Sequence, residues 1–125
     1  MTGPTTNAEI RERYERGLQL VDGARKHVTT DAPGNGADTV VDEDADVHVV
    51  TADGTNTVDL SGAAEEGGVV TVVHNGGAST PTLAFTDGDF LGTGPSNITT
   101  QGATATVANI DGTSSGWVVV GTGGA

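Results

Sequence analysis

The sequence predicts a mainly β chain: an antiparallel β-sandwich of jelly-roll-like build, preceded by one N-terminal α-helix. Three observations predict it. Short Val/Thr-rich runs recur along most of the chain, and valine is its main apolar residue. Valine's stiff χ1 suits a pleated surface better than a helix. Gly/Asp/Asn turn signals stand between the runs at intervals of about 8–12 residues, the spacing of a sandwich or barrel. Ahead of them lies one segment whose apolar residues keep a helical period instead.

That segment is residues 6–26. Thr6 and Glu9 form a capping box. Ile10, Tyr14, Leu18 and Val21 then share one face. Glu9–Arg13 and Glu12–Arg16 are i,i+4 pairs in the favourable order. Arg25 and Lys26 complement the helix dipole in the last turn. Gly17 and Gly23 weaken the interior by up to about 1 kcal/mol each. Such a helix needs packing to persist. The stripe Ile10, Tyr14, Leu18 and Val21 is therefore the expected attachment or oligomerisation face, against its own domain, sister helices or another protein.

Residues 29–38 read as a linker, so the expected division is a helix and linker over 1–38 and a β domain over 39–125. The expected strands cover 39–41, 46–51, 56–60, 69–74, 82–86, 97–100, 104–108 and 116–120. In the last of them Trp117 and Val119 share a face, and the apolar run predicts cover on both sides. Trp117, Val119 and Phe85 are the expected core residues, with the indole supplying bulk that valines lack and its N–H reaching a partner at the rim.

Composition narrows function further. Aromatic residues make up 3% of the 125 residues, so the core is thin and an oligomer is expected to bury more surface. The absence of cysteine excludes disulfides, thiolate zinc sites and a cysteine nucleophile. No apolar run approaches the roughly 20 residues of a membrane span, and MTGPTTNAEI lacks the blocks of a signal peptide. Export is expected by lysis or within a particle, without membrane insertion. The net charge is −12, and all five basic residues (Arg11, Arg13, Arg16, Arg25 and Lys26) precede His27, whereas thirteen of the seventeen acids follow it. That surface repels phosphate backbones, so nucleic acid is not an expected partner. The acid-rich, lysine-poor composition resembles proteins of extreme halophiles, in which molar salt screens repulsion.

Chemical motifs are sparse. His27, His48 and His74 match no local metal motif and read as surface or strand-end residues. Asp42, Asp44 and Asp46 alternate like calcium-loop ligands, but Val47 occupies the place where an EF-hand needs glycine. A solvated acidic loop is the favoured reading there, and low-affinity Ca²⁺ or Na⁺ binding the sharper one; no other cofactor is expected. Asp87 and Asp89 flank a turn glycine and allow the same two readings. Sugar-stacking aromatics are scarce, and no nucleophile elbow or phosphate loop is present.

The stretches NTVDLSGAAEEGGVVTVVHNGGASTPTLAF and DGDFLGTGPSNITTQGATATVANIDGTSSGWVVVG carry a further pattern. A Thr-Val-x-Leu strand (Thr57–Leu60) precedes a glycine-led strand ending in Asn (Gly68–Asn75). An Asp/Gly turn (Asp87–Gly92), an Ile-Thr strand (Ile98–Thr100), a valine strand (Ala103–Val107), Asp111–Thr113 and Trp117–Val120 follow. This order, over residues 56–121, resembles a β-domain of tail fibres, spikes and capsid appendages of tailed viruses. Phe90-Leu91-Gly92 departs from the Ile-Asp-Gly common in that family's middle turn. The resemblance implies a non-enzymatic virion component, commonly trimeric, and with the halophilic composition a virus of haloarchaea. The expected role is a capsid decoration or turret subunit bound to viral capsid or tail proteins. The alternatives are a receptor-binding fibre or spike tip that reads a host-surface glycan, and a secreted carbohydrate-binding or hydrolytic module.

Overall fold

The computed structural model describes residues 27–78 and 80–124. The expected helix, with Ile10, Tyr14, Leu18 and Val21, lies outside the described residues. Those residues form eight strands: β1 (Val28–Asp31), β2 (Thr39–Val40), β3 (Val47–Ala52), β4 (Thr55–Asp59), β5 (Val69–Gly77), β6 (Thr82–Phe85), β7 (Thr104–Asn109) and β8 (Trp117–Gly123). They make two sheets, one of five strands in the order β1-β3-β5-β7-β8 and one of three in the order β2-β4-β6.

The chain is mainly β and two-sheeted, as expected, but the pairing is largely parallel. β1, β3 and β5 run parallel, with Val28 beside Val47 and Val47 beside Thr71. β2, β4 and β6 are also parallel to one another. The chain alternates between sheets, so β1–β6 trace three turns of a flattened coil. Among the described strands, β5–β7 and β7–β8 are the pairs that run antiparallel, closing one end of the larger sheet. This corrects the antiparallel jelly-roll expectation. Period-two alternation sets which side of a strand is buried, not the direction of its neighbour. Asp53-Gly54 joins β3 to β4 in two residues, yet those strands belong to different sheets. A dipeptide that reads as a hairpin turn is a corner between layers.

Buried polar side chains explain the corners. Asn56 accepts from the Asp53 N–H at 2.7 Å and donates to the carbonyls of Gly34 (2.9 Å) and Ala37 (2.8 Å). One amide thus joins the corners of two successive coil turns, where neither corner can use a sheet ladder. Asn109 does likewise in the β7–β8 connection, accepting from Gly112 N–H and donating to Thr113 O. His74, fully buried, accepts from Gly76 N–H on Nδ1 and donates from Nε2 to Pro81 O. Gly77 has φ +136°, and a Cβ there would strike Ala52 where the β3–β5 ladder shifts register.

Valines fill the interior as expected. Val50, Val70, Val72 and Val107 point inward from the large sheet, against Val58 and Leu83 of the small one and Val41 and Leu60 beside it. Trp117 is 1% exposed and belongs to this core. Phe85 packs against it half-buried, edge-on to Phe90 with ring centroids 6.2 Å apart. Val119 is 37% exposed and Val120 62%, so Val119 is not the core residue expected. Trp117 sits at the start of β8, bridged to Phe90. Farther along, β8 is an edge strand, and a three-stranded sheet does not reach across five to cover it.

The large sheet begins at Val28, so β1 takes in the first three residues of the stretch expected to be a linker and lies ahead of the expected division at residue 38. The expected strand at 97–100 contributes a single bridge, Ile98 to Leu83.

Candidate functional site: an uncharged sheet face, a buried histidine and a carboxylate cleft

Strand alternation and register define the outer face of the five-stranded sheet. It carries Val28 and Thr30 from β1, and Val47 and Val49 from β3. Val69, Thr71 and Val73 from β5 continue it to Thr104, Thr106 and Ala108 of β7 and Val118 of β8. Thr71 and Thr106 hydroxyls bond across this face at 2.9 Å. No charged residue stands on it. The acids of the described residues lie in the connections, on β4 (Asp59), or on β1 turned inward (Asp31). An outward sheet face is ordinarily polar beside an apolar inner one. In a chain of net charge −12, this valine and threonine face is, among the described residues, a broad surface that another negative body could approach without meeting carboxylates on it.

Behind that face, the first coil turn is tied together by His48, which is 2% exposed. Its Nδ1 lies 2.8 Å from Thr29 Oγ1 and its Nε2 2.8 Å from Thr39 Oγ1. Thr39 Oγ1 donates to Asp31 Oδ2 at 2.8 Å. A hydroxyl has one proton, so Thr39 must accept from His48, and Nε2 carries the hydrogen. Nδ1 accepts from Thr29. Burial lowers the His48 pKa, and the charges of Asp31 and Asp42 oppose that in part. β1, β2 and β3 thus meet at one imidazole. His48 and His74 are interior residues, contrary to the surface reading; only His27 of the three is exposed. Histidine inside a β-branched run (Val47–Val50), like Asn56 and Asn109 inside strands that disfavour Asn, is the signal that could have marked them.

Asp42, Asp44 and Asp46 do not converge. The Asp42 carbonyl accepts from Ala45 N–H in a turn that buries Ala45 and fans its neighbours outward. Asp46 Oδ2 accepts from His27 N–H at 2.8 Å, and Asp44 Oδ2 lies 3.4 Å from His27 Nδ1. Among the described residues no three His, Asp or Glu side chains form a group that could hold a metal ion. Asp44 and Asp46 instead line, with Glu43 and Glu65, a cleft of about 280 Å³ whose wall includes Trp117. The Trp117 Nε1 has no hydrogen-bond partner, so the rim partner expected for it is not found among the described residues.

No family model matches the chain, and no curated protein matches it in sequence.

Proposed function

We propose that this chain is a non-enzymatic structural subunit of a larger assembly. Its most specific form is a capsid decoration or turret protein of a haloarchaeal virus, with the N-terminal region as attachment and the coil as the projecting body. The supporting observation is the uncharged outer face of the five-stranded sheet, a surface suited to meeting another copy of the chain. Two sheets pack face to face about 10 Å apart. Five strands about 4.8 Å apart and some five residues long project roughly 300–350 Å². A stable interface needs about 800 Å² per partner. The face therefore acts with a neighbouring contact, and the adjoining β8 edge with exposed Val119 and Val120 supplies one. A closed ring, the trimer expected from the resemblance, would give each copy two such contacts.

Sedimentation velocity in molar KCl tests the reading. The parent chain should run as a defined oligomer. Val49→Lys with Val73→Glu, paired on the outer face so that the new charges are of opposite sign across the strands, should give a monomer with an unchanged circular dichroism spectrum. A parent chain that stays monomeric would remove the argument. Imaging of particles with and without the protein then tests the virion assignment.

A further inference from the structure

Asn75 and Gly76 follow the outward row Val69, Thr71 and Val73 on β5 and form one of the chain's two Asn-Gly dipeptides; Asn35 and Gly36 form the other. In such a pair the glycine main-chain nitrogen can close a five-membered ring on the asparagine side-chain carbon, and glycine has no Cβ to obstruct it. The nitrogen attacks only as it gives up its proton. At Gly76 that proton points at a base. Gly76 N–H donates to His74 Nδ1 at 2.9 Å, and Nδ1 is free to accept because Nε2 holds its hydrogen against Pro81 O at 3.2 Å. The imidazole is fully buried and so fixed in place, whereas Asn75 is exposed and its amide reaches Thr51 Oγ1 at 3.4 Å, a long bond. Gly36 N–H donates instead to the Asp53 carbonyl, at 3.4 Å, which is no base. Both asparagines are exposed, so the imidazole is what sets them apart.

We propose that His74, Asn75 and Gly76 form a self-modifying site that converts Asn75 to aspartate or isoaspartate. His74 Nδ1 takes the Gly76 proton as general base. The Gly76 nitrogen bonds to Asn75 Cγ, the Cγ–Nδ2 bond breaks, and the proton passes from Nδ1 to the departing nitrogen, which leaves as ammonia. Solvent water then opens the cyclic imide at either carbonyl and leaves a carboxylate. The product carries one more negative charge than the chain began with. Asn75 and Thr51 stand on the outward side of β5 and β3, at the rim of the uncharged face, so the charge arrives there. Resting on the reading that copies meet through this face, the reaction is a one-way timer that weakens the assembly as the protein ages.

The chain holds its own reference in Asn35. The folded protein is incubated at neutral pH and then cut after glutamate, which separates the two dipeptides at Glu43, Glu65 and Glu66. Mass spectrometry reads the change from amide to acid in each fragment. Asn75 should convert at least about tenfold faster than Asn35, a modest share of what a positioned general base contributes. In concentrated urea the ratio should collapse towards one. His74→Gln, whose amide can accept from Gly76 and donate to Pro81 without acting as a base, should slow Asn75 and leave Asn35 unchanged. Equal rates in the folded parent, a faster Asn35, or an Asn75 that keeps its amide would overturn the proposal, and none of these requires the variant to fold. The consequence for assembly is read separately by sedimentation: Asn75→Asp should dissociate more readily on dilution than the parent, and an unchanged dissociation would overturn the timer. A parent chain that is monomeric throughout counts against the face and not against the reaction.

Discussion

Acidification should loosen the first coil turn through His48, and the sign follows from its two hydrogen bonds. In the neutral ring Nε2–H donates to Thr39, whose own proton is committed to Asp31, and Nδ1 accepts from Thr29. A proton added to Nδ1 meets the Thr29 hydrogen head-on. Thr29 must then turn its hydroxyl towards Val47 O, 3.5 Å away and at the limit of a hydrogen bond. Burial acts in the same direction, holding the pKa below its ordinary value against the pull of Asp31 and Asp42. A histidine whose folded pKa is depressed binds its proton more readily when unfolded. Its contribution is therefore intact above about pH 6.5 and is lost as pH falls from there towards the folded pKa. The slope approaches about 1.4 kcal/mol per pH unit inside that window. Urea unfolding at pH 7.5 and pH 5.5 measures it. The parent should lose more stability than His48→Gln, by up to about 1.4 kcal/mol, since the glutamine amide can donate to Thr39 and accept from Thr29 without titrating. Asp59 and Asp111 lie outside this window, because hydrogen bonds from Ser61 and Thr113 hold their pKa values below the carboxylate norm. Asp89, raised by burial and by the charge of Asp59, is common to both proteins and cancels in the difference. Identical pH dependence in parent and His48→Gln would refute the reasoning.

Other substitutions test the coil itself. Leu83→Ala, at a fully buried side chain of the three-stranded sheet, should cost about 2–5 kcal/mol in the same urea assay. Asn56→Ala should cost about 2–4 kcal/mol, because Asp53 N–H and the Ala37 carbonyl lose the bonds Asn56 gives them and the Gly34 carbonyl keeps only its bond from Ala37 N–H. Hydrogen exchange in that variant should quicken first at residues 34–37 and 53–56. Gly77→Ala should prevent folding or displace β5 from β3, seen as lost strand signal in circular dichroism, since its Cβ would enter the Ala52 backbone. The thermal midpoint should climb as salt rises from dilute buffer to molar KCl; a flat response would detach the acidic composition from stability.

Strand positions were legible in the sequence because alternation is a local property. Thr104–Ala108 shows it without reference to any partner, and Val69–Val73 is legible instead as a β-branched run between turn signals. Pairing direction is not local. A two-residue Asp-Gly link fits a hairpin and a corner equally well, and the choice rests on Asn56, which reaches back to Gly34 and Ala37. The coil turns are also unequal in length, so no fixed period exposes them as repeats. β1 escaped notice because VTTD is short and runs into a Gly/Asp/Pro stretch. Of the candidate sites, the alternating aspartates were visible but their placement was not: Asp44 and Asp46 flank His27 and line one cleft, while the Asp42 carbonyl closes the turn that buries Ala45. The uncharged face needed the register of five strands before it existed as a surface.

The placement of charge connects composition to assembly. In a coil whose strands stack side by side, each outward row of one sheet continues across every turn. An acid on such a row would face its neighbours about 4.8 Å away, a spacing at which like charges opposed across strands destabilise the sheet. Connections have no such constraint, and Asp42–Asp46, Glu65–Glu66 and Asp87–Asp89 gather there. The larger sheet is thereby left with valine and threonine on its outside, and the coil's own stability requires that before any partner is considered. A highly acidic chain built this way has a neutral face and charged corners. Copies that met through their corners would repel one another except in concentrated salt, where the screening length falls to about 3 Å. Copies that met through the face would keep those charges at the rim, in solvent, with no ionised group to desolvate. The same arrangement thus lets the coil stack and gives the proposed assembly its surface.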